Sequence, residues 1–270
     1  MVGRLLDRWR ERKALKSVEG ALRGRMATEE ALAALRDLPA IASLRSIPTL
    51  CLLLTHGQEA LRAEACAALA AIYRRRQDQR VLEALNAAIL FERQPDSVRT
   101  QAIEALAGIV HTRHVGSLIE VLKKATTPLP VRTAALHALE RLGYPEVVER
   151  LVENCLLARS ADSRGELRAW VVEQLKALDD KEKLTKIHEI VHNRRRLRYR
   201  AMSVEAGDHA TLVQLMAEVD PDHAVRFLGH MVDHSTTIIS AAAVKALREI
   251  RADQKTAADR APRTRPSASH

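Results

Sequence analysis

Two chemical signals share one stretch, KIHEIVHNRRRLRYRA at residues 186 to 201. His188, Glu189 and His192 form H-E-x-x-H, the spacing by which one helix turn can present two imidazoles to zinc and a glutamate to the attacking water. Five arginines follow between 194 and 200. A guanidinium cluster suits carboxylate or phosphate, because each group offers a planar fork of donors. Elsewhere His230 and His234 repeat the four-residue spacing, and Trp170 is a large aromatic on an otherwise aliphatic segment.

The elements that must position these groups come from composition and periodicity. Only seven aromatics stand among many Ala and Leu, and 47% of residues are apolar. That composition favours helix over strand and suffices for a buried core. Cys51, Cys66 and Cys155 are odd in number and lie among aliphatic residues, so they read as core residues of a reducing compartment. The first residues, MVGRLLDRWRERK, lack the continuous apolar run of a secretory leader, and no segment reaches membrane-spanning length. The expected location is cytoplasmic.

Net charge is +9 and is unevenly placed. Residues 1–25 carry +5, residues 251–270 carry +3, and the body between them is close to neutral. A chain built to coat nucleic acid would be basic throughout.

The body contains an internal repeat. LRAEACAALAAI from Leu61, VRTQAIEALAGI from Val98, VRTAALHALERL from Val131 and LRAWVVEQLKAL from Leu167 share an aliphatic residue, an arginine, and small or apolar residues 3, 6, 7 and 10 positions later. The arginines are Arg62, Arg99, Arg132 and Arg168, with Arg198 in a weaker copy. Those offsets fall on one arc of a helix. A second apolar-periodic helix precedes each copy, and turn signals such as QPDS and TTPLP separate the two. Each unit is then a helical hairpin that buries its apolar face by stacking on its neighbours.

The segments PDSVRTQAIEAL and PLPVRTAALHAL resemble the HEAT-repeat family in its short bacterial form. The resemblance covers residues 58–178 best. It implies an all-α fold, a right-handed α-solenoid of about six helical hairpins, in which second helices line a concave side and a macromolecule is bound. The expected organisation is a basic N-terminal helix or cap over 1–25, the solenoid over 26–250 and a disordered basic tail over 251–270.

The repeat register weighs the chemical signals. From the apolar direction of KLTKIHEIVHN, His188 lies about 90° away, His192 about 130° and Glu189 about 170°, so the triad is expected to face outward. A zinc centre also needs a third protein ligand, and none is near. No metal and no cofactor are expected, and a zinc hydrolase at 188–192 is the remote alternative. Di-iron hydroxylases of this repeat class carry a His-Glu pair on several helices, whereas here the pair occurs at His188-Glu189 alone. The chain is therefore read as having no catalysis of its own.

The repeat arginines are read as structural, bonding an acid or carbonyl of an adjacent turn. The expected function is a protein-binding scaffold, adaptor or regulator whose partner has an acidic surface. The residues assigned to it are Arg194, Arg195, Arg196, Tyr199, Arg200 and Trp170. The alternative is an anion-binding module that engages nucleic-acid backbone through the same arginines. At the N-terminus Val2, Leu5, Leu6 and Trp9 form an apolar stripe among arginines, read first as a cap over the first repeat and second as a peripheral membrane contact.

Overall fold

The computed structural model describes residues 2–41, 43–109, 115–124, 126–161, 165–192 and 206–260. Among these residues it has fourteen α-helices and no strand. They divide into two units, Met1–Val147 and Val148–His270.

The first unit holds α1 (Val2–Leu22), α2 (Thr28–Ile41), α3 (Ile47–His56), α4 (Glu59–Arg76), α5 (Gln79–Leu90), α6 (Asp96–Ala107), α7 (Gly116–Lys123) and α8 (Leu129–Arg141). Each odd helix packs on the even helix that follows it. The even helices stack in one layer, and the odd helices stack in the other. Alanine makes the even layer close-packed. Ala65 and Ala68 on α4, Ala102 and Ala105 on α6, and Ala135 and Ala138 on α8 are all buried beside Leu69, Leu106 and Leu139. A methyl side chain lets neighbouring helices approach, and leucine fills the space between them.

Turn chemistry sets the helix ends. Gln77 takes the left-handed conformation at φ 49° to close α4, and its N–H bonds the Tyr73 carbonyl at 2.7 Å. Asp78 then opens α5 by accepting the Arg80 N–H at 3.0 Å. Pro95 and Pro128 stand just before α6 and α8, where a missing N–H costs nothing.

The repeat arginines work at these turns. Arg132 is 1% exposed. Its Nε donates to the Thr127 carbonyl at 3.0 Å, one terminal nitrogen to the Leu122 carbonyl at 2.8 Å, and the other to the Lys124 carbonyl. Arg99 is also buried and donates from Nε to the Ile89 carbonyl at 3.0 Å. In the first copy Arg62 donates to the Gly57 carbonyl and to Gln94, whose own amide reaches the Leu54 carbonyl at 2.9 Å. Each arginine thus ties its second helix to the carbonyl end of the first, where helical oxygens lack partners. Burial pushes Arg132 down to about 10, so it is still a cation at neutral pH and is stabilised by carbonyl dipoles.

Residues 1–25 were expected to form a basic N-terminal helix or cap, with the solenoid over 26–250. In the structure α1 is the first helix of the first hairpin, packed on α2 and α3. The stripe of Leu5, Leu6 and Trp9 is not the face that packs. Glu11, Ala14, Ser17 and Val18 are buried, while Leu5, Leu6 and Trp9 are 62%, 46% and 60% exposed.

The second unit holds α9 (Val147–Ala161), α10 (Glu166–Ala177), α11 (Lys183–His192), α12 (Ala206–Val219), α13 (Pro221–His234) and α14 (Thr237–Arg260). Helices α10, α12 and α14 stack. Helix α11 packs on α12 and α13, and α13 packs on α14. With the four pairs of the first unit, the α11–α12 and α13–α14 pairs make six packed hairpins among the described residues. The tail expected to be disordered from 251 is helical through Arg260. Ile239, Ala243, Ala246 and Ile250 anchor α14, and the Arg, Ala, Gln and Lys that follow prolong an established helix at little cost.

Candidate functional site

The site begins with two short ladders of histidine. On α11, Leu184, Ile187, Ile190 and Val191 are buried, which fixes the rotation of the helix. His188 and His192, one turn apart, lie at the edge of that buried face with ring centroids 4.4 Å apart. On α13, Ala224, Leu228 and Met231 are buried. The spacing 227, 230, 234 places Phe227, His230 and His234 along the flank, and the two histidine rings are 4.6 Å apart. The helix start is fixed by Pro221 and by Asp220, whose carboxylate accepts the His223 N–H at 3.2 Å.

The two ladders meet. The His188 ring is 5.4 Å from Phe227 and 5.6 Å from His230. His192 Nδ1 lies 3.0 Å from the His188 carbonyl, and its Nε2 lies 2.8 Å from Ser235 Oγ. A carbonyl only accepts, so Nδ1 carries the proton, and in the neutral ring Nε2 accepts from the Ser235 hydroxyl. His188 Nε2 is buried and finds no partner among the described residues. Burial pushes His188 below the ordinary imidazole range, and nearby His192 and His230 push it further, against a small opposing pull from Glu189. The junction therefore favours a neutral imidazole at its centre.

This arrangement corrects the outward orientation expected for His188. Its ring is half-buried against α13, because the position of the next hairpin, not the helix's own periodicity, decides which flank is covered. His230 and His234 are exposed at the rim of this junction, and Phe227 and Ser235 were not singled out. The available signal was the recurrence of the four-residue histidine spacing on the first helix of consecutive hairpins. Among the described residues, no three His, Cys, Asp or Glu side chains are grouped so as to hold a metal ion.

The other expected site residues divide sharply. Arg194, Arg195, Arg196, Arg198, Tyr199 and Arg200 lie outside the described residues. Trp170 is 6% exposed on α10 beside buried Val171 and Leu175. It is thus a packing residue of the second unit and not a free contact surface. Arg168 also reaches across to the next hairpin. It donates to Glu218 at 2.8 Å, an acid of α12, and to Cys155 Sγ at 3.4 Å. Where α10, α12 and α14 stack, a cleft of about 630 Å³ is lined by Glu218, Asp222, Glu249 and Asp253 against Lys176.

The model of the HEAT-repeat family matches residues 86–176, the span from α5 to α10. No curated protein matches the chain. Among solved structures, human deoxyhypusine hydroxylase in complex with glycerol is similar at a TM-score of 0.33 and 15% identity, over 92% of this chain and 99% of that one. That protein is an enzyme, which overturns the expectation that the chain has no catalysis of its own. A likeness at this level assigns neither an activity nor a site.

Proposed function

We propose that this chain, whose residues 86–176 are HEAT repeats, is a scaffold or adaptor that holds an acidic face of a partner protein against Arg194, Arg195, Arg196 and Arg200, with Tyr199 beside them. The observation that carries the reading is the placement of charge. Five arginines fall within seven residues of a body that is otherwise slightly acidic. Four of them stand outside the repeat position. Like charges that close repel one another, and an acidic partner relieves that repulsion while meeting guanidinium forks with carboxylates.

The cleft lined by Glu218, Asp222, Glu249 and Asp253 supports the same assignment by exclusion, since its sign repels an acidic partner. The test compares affinity purification of the tagged chain with that of an Arg195→Glu, Arg196→Glu variant, read by quantitative mass spectrometry near 50 mM salt, where the Debye length is about 14 Å or more. The expected result is a partner protein retained by the wild type and weakened at least tenfold in the variant, about 1.4 kcal/mol, with unchanged circular dichroism. Equal retention by both chains sinks the reading.

A further inference from the structure

Helix α1 carries two faces, of which the fold uses one. At about 100° per residue, the buried residues Glu11, Ala14, Ser17 and Val18 centre on one direction, and Leu5, Leu6 and Trp9 centre about 150° away from it. The second set is apolar and open to water, with three large side chains between 46% and 62% exposed within five residues. Single exposed apolar residues are ordinary on a protein surface; a contiguous group containing tryptophan marks an interaction face.

The charges that α1 itself sets around that face are basic, and on the flank toward α2 the acids Glu30 and Asp37 share a groove with Trp9, Arg10 and Lys13. Arg12, Lys13 and Lys16 lie within about 70° of its centre, and Arg8 and Arg10 lie near about 100° on either side. All five are exposed. The acids Asp7 and Glu11 point to the opposite side, where Glu11 is buried and accepts the Ser43 N–H at 2.6 Å and the Ser46 hydroxyl at 2.5 Å. Lys13 Nζ stands 5.6 Å from the Trp9 ring centroid.

We propose that this corner of the first unit docks on an anionic phospholipid surface. Leu5, Leu6 and Trp9 enter the boundary between headgroups and acyl chains. Arg12, Lys13 and Lys16 meet the negative surface. Charge decides this occupant. Residues 1–25 carry +5, so two copies placed face to face would repel, whereas an anionic bilayer attracts each added cation and supplies the apolar depth the three side chains require. Tryptophan suits the interface because its ring is apolar and its N–H is polar. Among the described residues no helix is long and apolar enough to cross a membrane, so the contact lies on the bilayer surface.

The test uses the full chain with large vesicles of phosphatidylcholine alone and of equal parts phosphatidylcholine and phosphatidylglycerol. Partitioning is read by sedimentation and by the emission of Trp9, isolated by difference against Trp9→Phe. Partition onto the anionic vesicles should exceed that onto phosphatidylcholine at least tenfold, with a blue shift of Trp9 and a fall with added salt. Leu5→Gln with Leu6→Gln should lower it about tenfold while helicity and melting stay unchanged, since both side chains are exposed and glutamine is a good helix former. Arg12→Gln with Lys13→Gln and Lys16→Gln should lower it on the anionic vesicles only. Equal partition onto the two vesicle types overturns the proposal. So does a leucine variant that binds like the wild type. A chain that runs as a dimer and becomes monomeric in the leucine variant also overturns it, because the face then belongs to a second copy.

Discussion

Arg132 in the first unit and His188 in the second are both polar side chains carried into a packed helix face, yet they are satisfied in different ways. Arg132 finds three carbonyl oxygens between 5 and 10 residues before it in its own hairpin. His188 meets the rings of Phe227 and His230 from the following hairpin, and its Nε2 goes without a partner among the described residues. The first is a device internal to one repeat, so it can be copied from unit to unit. The second exists only where two particular hairpins adjoin. A polar group answered inside its own repeat stabilises the fold, whereas one left unanswered at a junction is a place where solution conditions can act.

The largest expected effect on this contrast is at the internal device. Arg132→Ala leaves three carbonyls at a buried turn without their donor, and should cost about 3 kcal/mol in a urea or guanidinium melt. Arg99→Ala removes one such bond and should cost about 1 to 2 kcal/mol. If both midpoints stay at the wild-type value, the arginines do not hold the turns and the contrast collapses.

The junction is tested by pH. His188 has a folded-state value below that of an unfolded imidazole, so the unfolded chain binds the proton more readily. Stability should therefore be fully present above about 6.5 and decline as pH falls through the lower folded value. His188→Phe removes the buried nitrogen and keeps the ring contact with Phe227. Its melting temperature should depend less on pH between about 6.5 and 5, with little change at neutral pH. Parallel pH profiles for the two chains would show that the cluster does not sense protons.

The smallest effect is expected at the ion pair of Arg168 with Glu218. Their side chains are 28% and 36% exposed, and screened pairs of this kind contribute about 1 kcal/mol or less. Glu218→Ala should therefore melt within about 1 kcal/mol of wild type. A loss as large as that of Arg132→Ala would mean that exposure does not separate this ion pair from the buried turn bonds.

Much of this was legible in the residues. The spacing Val-Arg, then Ala, Ala and Leu at 3, 6 and 7, sets out a helix with one small-residue face, because the 3.6-residue period is a property of the chain alone. Pro95 and Pro128 mark helix starts, and Asp78 caps α5, because steric limits and capping bonds reach only a few residues. The existence of hairpins, the alanine layer and the turn role of the arginines all follow from such short-range rules. The limit of α14 was misjudged for the same reason. Composition past Arg251 reads as disordered when taken alone, but the helix is nucleated by Ile239, Ala243, Ala246 and Ile250.

The sequence by itself determined the helices, their pairing and the residues that close each hairpin, since those depend on neighbours along the chain. Tertiary structure alone decided which flank of each helix is covered. Helical phase places Trp170 near an outer face, yet the stacking of its unit buries it. It places Leu5, Leu6 and Trp9 on an apolar stripe, yet α1 packs through Glu11, Ala14 and Val18 and leaves that stripe in water. His188 and His230 are 42 residues apart in the chain, and their rings stand 5.6 Å apart because α11 packs on α13. Periodicity fixes the direction of a side chain about its own axis; what stands in that direction is set by the packing of other helices, and no local rule carries that information.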